Sequence, residues 1–84
     1  MNNNTAIVIL EIHKRNMSVD LEVPLDISAN ELVIALNTAY ELGIDTTDIK
    51  NCYLKAENPI ALLKGNKTLA EFGIRNGSVI NYTE

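Results

Sequence analysis

Met17 to Val23 alternates apolar and polar residues without a break. Met17, Val19, Leu21 and Val23 fall on one side, with Ser18, Asp20 and Glu22 on the other. Period two is the signature of a half-buried strand. Residues 6–13, rich in aliphatic and β-branched side chains, predict a strand before it. The polar stretch Lys14-Arg15-Asn16 joins the two as a hairpin. The period then changes. Ser28 followed by Glu31 forms a capping box, in which hydroxyl and carboxylate each bond the other residue's backbone amide. Ile27 and Leu32 are spaced as a hydrophobic staple across that cap. Leu32, Leu36, Ala39 and Gly43 share a stripe flanked by Ala35, Tyr40 and Leu42, while Asn37, Thr38 and Glu41 face away. The pattern predicts a helix over 29–42, ended by Gly43 in a left-handed conformation with Ile44 folded back on it.

Beyond the helix the signals shorten. Residues 51–56 read as a third strand, interrupted at Glu57-Asn58-Pro59 because proline cannot donate to a ladder. Ile60 to Leu63 reads as a short fourth strand, and Thr68 to Ile74 as one 3₁₀ turn. Asn76-Gly77 is a turn, and Ser78 to Thr83 is the last strand. A helix following a hairpin must cover the one apolar face of the sheet. With the first strand central, the expected fold is α+β: a mixed four- to five-stranded sheet in the order 2-1-5-3-4 packed on one helix. Residues 1–5, three of them asparagine, are expected to be a disordered lead, and 6–84 the domain.

Composition narrows the function. Eighty-four residues build one core, and 46% hydrophobic with 21% charged is an ordinary globular balance. A net charge of −4 argues against nucleic acid, which demands a basic surface. The charge is uneven: residues 1–49 hold two basic and eight acidic groups, and 50–84 five and three. The apolar run Ala6 to Leu10 is too short for a signal peptide or a membrane span, so direct membrane insertion is not expected and the cytoplasm is the default location.

These residues resemble the ubiquitin family over about residues 6–83. Ser18 to Val23 is similar to its second strand. Ser28, Glu31, Leu32 and Leu36 are similar to the start of its helix, and Thr68 to Ile74 to the turn before its last strand. Leu21-Glu22-Val23-Pro24 and Glu71-Phe72-Gly73-Ile74-Arg75-Asn76-Gly77 are most similar to the EsaB/YukD family. Its members are small cytosolic accessory proteins of the type VII (WXG-type) secretion systems of Gram-positive bacteria. The resemblance implies a β-grasp fold, no enzyme activity, no cofactor, and protein partners that include membrane components of a secretion complex. Ubiquitin and the sulfur carriers are ligated through a Gly-Gly tail, whereas this sequence closes on Asn81-Tyr82-Thr83-Glu84. Modification of other proteins and sulfur carriage are therefore disfavoured, and a general β-grasp adaptor or inhibitor is the main alternative to a secretion role.

Candidate chemistry is sparse. Cys52 and His13, each the only residue of its kind, lack a group to orient a thiol–imidazole pair. Cys52 is expected to be a small buried hydrophobe and His13 a solvated turn residue. Asp45 and Asp48 supply too few ligands for a calcium loop, so no metal site is expected. The outer face of the sheet remains. With Val8, Leu10 and Ile12 inward on strand one, Ile80 and Tyr82 on strand five, and Cys52 and Leu54 on strand three, the open face holds Ile7, Ile9, Tyr53 and Val79. Glu11 and Lys55 rim them, and Ile34 on the polar side of the helix is a second, separate candidate. Contiguous exposed apolar surface of this kind marks interfaces, with a partner protein or, by weak homodimerisation, with a second copy.

Overall fold

The computed structural model describes residues 4–83. The N-terminal lead expected over 1–5 lies, for residues 1–3, outside the described residues. Five strands form one sheet: β1 (Thr5–Ile12), β2 (Met17–Pro24), β3 (Leu54–Glu57), β4 (Ala61–Leu63) and β5 (Val79–Tyr82). Their order is β2-β1-β5-β3-β4. β1 pairs antiparallel with β2, Leu10 opposite Val19, and parallel with β5, Leu10 beside Ile80. The expected α+β architecture and strand order are those observed. The helix α1 (Ala29–Tyr40) packs on the inner face, and a short helix α2 (Leu69–Phe72) precedes β5.

The core follows from the alternation. Ala6, Val8, Leu10 and Ile12 of β1 are all buried, and they meet Leu54 and Ala56 of β3 and Ile80 of β5 beneath Ala29, Leu32, Val33 and Leu36 of α1. Each buried Val, Leu or Ile among them stabilises the fold by about 1.5–3 kcal/mol on leaving water. Met17, Val19 and Leu21 of β2 are only half-buried, because β2 is an edge strand and the helix covers it less completely.

Ser28 caps α1 as the spacing predicts, with its hydroxyl accepting from Glu31 N at 3.1 Å and Glu31 Oε1 accepting from Ser28 N at 2.9 Å. Thr68 and Glu71 make the same box on α2. The Thr68 amide and hydroxyl hold the Glu71 carboxyl below its ordinary range. The two capped starts are tied together: Ala29 N donates to Lys67 O, Leu69 N to Ile27 O and Ala70 N to Leu25 O.

Several boundaries differ from expectation. α1 stops at Tyr40, two residues early, because Glu41 takes the left-handed conformation (φ 52) and its neighbour Leu42 turns into the core. Gly43 is also left-handed, but it lies beyond the helix end. The buried stripe is Ala29, Leu32, Val33 and Leu36; Ala35 and Ala39 are exposed. Asn37 does not simply face away. Its amide donates to Ile44 O and its carbonyl accepts from Ile44 N, clamping the chain as it leaves the helix. Arg15, expected only as a turn residue, donates to the Tyr40 and Glu41 carbonyls at 2.6 Å each. A cation on otherwise unpaired C-terminal carbonyls satisfies them and the helix dipole together. β3 begins at Leu54, since Thr46 to Asn51 winds into 3₁₀ turns before it. β4 begins at Ala61, and Ile60 is left 91% exposed. Residues 69–72 are α-helical, not 3₁₀.

Candidate functional site

Two faces of one sheet divide the work. The inner face is consumed by α1 and the core. On the outer face, cross-strand pairing sets side chains into rows, since residues directly opposite share a face. One row runs Asp20, Ile9, Val79, Glu57 across β2, β1, β5 and β3. The next runs Ser18, Glu11, Asn81, Lys55, Leu62 and reaches β4. Ile7, opposite Glu22, extends the first row along β1.

The structure therefore brings Ile7, Ile9 and Val79 together as an apolar strip, with Ile7 48% exposed and the other two half-buried. Glu11 closes one end of it. Tyr53 is separated from that strip. It is 47% exposed, precedes β3, and lies past the row that holds Glu11, Asn81 and Lys55. The continuous patch expected of Ile7, Ile9, Tyr53 and Val79 is thus split by a polar row. Ile34, exposed on α1, is on the other side of the sheet from all of them.

Asn81 makes the division. It sits on the outer face yet is only 6% exposed. Its amide donates to Glu57 Oε2 at 3.1 Å, which turns its carbonyl to His13 Nε2 at 2.7 Å. Nε2 must then be the protonated nitrogen, because an amide oxygen can only accept. Glu11 Oε1 stands 3.6 Å from the same nitrogen. His13, expected as a solvated turn residue, is in fact bonded across the sheet. Nothing local in the sequence announces this row; the His13–Asn81 bond alone joins residues 68 positions apart.

Sequence patterning also missed Leu62 and Ile60. Both are exposed, and with His13, Lys55 and Asn81 they line an open concavity of about 550 Å³ at the β4 edge. Ile60 lies just before β4, and its exposure follows from the tight turn after Asn58, whose φ is 59.

Cys52 is buried, and its thiol points at the Asp45 and Asp48 carbonyls, 3.3 and 3.4 Å away. Burial, and then the charges of Asp48 and Asp45, push the thiol above its ordinary range. A nucleophilic cysteine has the opposite environment. Since His13 is committed to Asn81 and Cys52 to two carbonyls, the structure does not assemble them into a pair. Asp45 turns inward on its own loop, accepting from the hydroxyl and amide of Thr47, which hold its carboxyl below the usual range. Among the described residues, no three His, Cys, Asp or Glu are placed to hold a metal ion. No helix among them is long and apolar enough to cross a membrane.

A family model described as the WXG100 protein secretion system (Wss) protein YukD matches residues 7–81. The chain belongs to the YukD family. That span holds both helices, β2, β3 and β4 whole, and all but the outer ends of β1 and β5. No curated protein sequence matches the chain. Solved structures share its fold at low identity. The ubiquitin-like domain of tubulin-binding cofactor B is 17% identical, with a TM-score of 0.71, covering 93% of this chain and 87% of that one. The C-terminal ubiquitin-like domain of mouse tubulin-specific chaperone e is 8% identical, with a TM-score of 0.71 over 100% and 92%. A designed protein based on ubiquitin is 15% identical, with a TM-score of 0.66 over 95% and 88%. At these identities the likeness establishes the ubiquitin-like fold. Anything more specific rests on the family match and on the chain's own surface.

Proposed function

We propose that this YukD-family chain is a non-catalytic protein-interaction module, a cytoplasmic accessory or regulatory component of a WXG-type (type VII) secretion system. It docks through the outer face of its sheet. The observation that carries the reading is the apolar strip Ile7, Ile9 and Val79, which faces solvent while the fold's own helix occupies the opposite face. Side chains of this size contribute little to stability where they are exposed and a good deal when a partner covers them. Glu11 closes the strip. Tyr53 and Lys55 form a second contact region beyond Asn81, and Ile34 a third on the helix.

The test is capture from a Gram-positive host that carries such a system. The tagged wild-type chain should recover the secretion system's own subunits. Val79→Asp, which sets a charge in the middle of the strip, should lose them while melting as a cooperative fold. Recovery of none of those subunits by the wild type would sink the reading.

A further inference from the structure

The outer strip has a definite electrostatic frame. Asp20 and Glu22 of β2 stand opposite Ile9 and Ile7 on one side, and Glu57 of β3 stands opposite Val79 on the other. Glu11 stands at the end. Lys55 is the one Lys or Arg among the described strand residues of this face, and it belongs to the row beyond Asn81. An apolar floor thus lies between an acidic rail on β2, Asp20 and Glu22, and an opposite rail on β3 whose one acid is Glu57. Glu22 also accepts from Thr5 Oγ1, and Glu57 from Asn81. A carboxylate has room for further donors.

The strands beneath the strip decide the shape of what can sit there. β1 is paired with β2 on one edge and with β5 on the other, and β5 lies between β1 and β3. Their backbone donors and acceptors are engaged in the ladders, so an added strand finds nothing to bond. An occupant of this face must satisfy its own backbone, as a helix does. Adjacent strands are about 4.8 Å apart, so the rails, three spacings from each other, stand about 14 Å apart. A helix with its side chains is about 10–12 Å across. It fits lengthwise between them.

Resting on the protein-interaction reading above, the geometry points to one occupant: an amphipathic helix of a partner protein, with an apolar stripe flanked on both sides by Lys or Arg. The stripe covers Ile7, Ile9 and Val79, and the flanking cations meet Asp20 and Glu22 on one side and Glu57 on the other. A second copy of this chain does not supply that helix. α1 contains no Lys or Arg, and its exposed side carries Glu31, with Glu41 just past its end. Its docking would set acid against acid. An anionic lipid surface is repelled for the same reason.

The probe is a labelled synthetic helix of about 18 residues, about 27 Å long, with leucines on one stripe and lysines on both flanks. Its counterpart carries glutamate in place of every lysine. Binding to the whole chain is followed by fluorescence anisotropy, and its location by amide shifts. The lysine helix should bind, with shifts centred on Ile7, Ile9 and Val79. Binding should weaken about tenfold in Asp20→Lys/Glu22→Lys, since exposed charge pairs are individually modest but here two attractions become repulsions. It should weaken similarly from about 0.1 M to about 1 M salt, where the screening length falls from about 10 to about 3 Å. The single variant Asp20→Lys, altering one exposed side chain, should show part of the loss and keeps the result readable if the double variant folds poorly. Equal binding of the glutamate helix, unchanged binding by the variants, or shifts confined to the free edge of β2 would each overturn the proposal. If any of these occurs while the wild type still captures secretion subunits, the occupant is wrong and the family role stands.

Discussion

The two faces of the sheet are made from the same strands, yet they answer to different constraints. On the inner face, every side chain from Ala6 to Ile12 in alternate positions is buried against a helix that has nowhere else to go. On the outer face, side chains range from the 48% exposed Ile7 to the almost fully buried Asn81. Local alternation accounts for the first completely. It accounts for the second only in sign, because what covers an outer-face residue is another side chain brought in from far along the chain. The inner face holds the domain together, and the outer face carries the apolar strip that the fold leaves uncovered.

Truncation on each face should separate these roles. Leu10→Ala, at a position with no exposure, removes core volume and should lower unfolding free energy by about 2–5 kcal/mol in chemical denaturation. A loss below about 1 kcal/mol would mean the inner face is less tightly packed than the contacts describe. Asn81→Ala should fall between the extremes. It strips His13 and Glu57 of their shared partner, and both are partly open to water, so a loss of about 1–2 kcal/mol is expected. The His13 ring resonances should move with it. If the ring resonances stay in place, the polar row does not divide the outer face. Ile7→Ser should change stability least, by about 0.5 kcal/mol or less, as an exposed position does. Its effect should appear in partner capture, and a large stability loss there would place Ile7 in the core.

Most of the architecture was written in local pattern. The period-two run from Met17 to Val23, the Ser28/Glu31 box and the Thr68 to Gly77 segment each specify an element from residues within one or two turns of one another. With the helix forced onto the apolar face, few strand orders remain, and the observed one follows. The outward direction of Ile7, Ile9 and Val79 was legible for the same reason, since a strand's inward set defines its outward set.

What sequence alone could not decide depends on groups that meet only when the chain is folded. The end of α1 was misplaced because Leu42 is drawn into the core ahead of Gly43, and because Arg15, from the hairpin, satisfies the last carbonyls. The split of the outer patch was hidden because Asn81 is covered by His13 and Glu57, neither of them near it in the chain. The acids that flank the strip came into view only with the register that sets Asp20, Ile9, Val79 and Glu57 in one row. Periodicity is a local quantity and determined the elements and their faces; which distant side chains share a face is a property of pairing, and only the tertiary structure decided it.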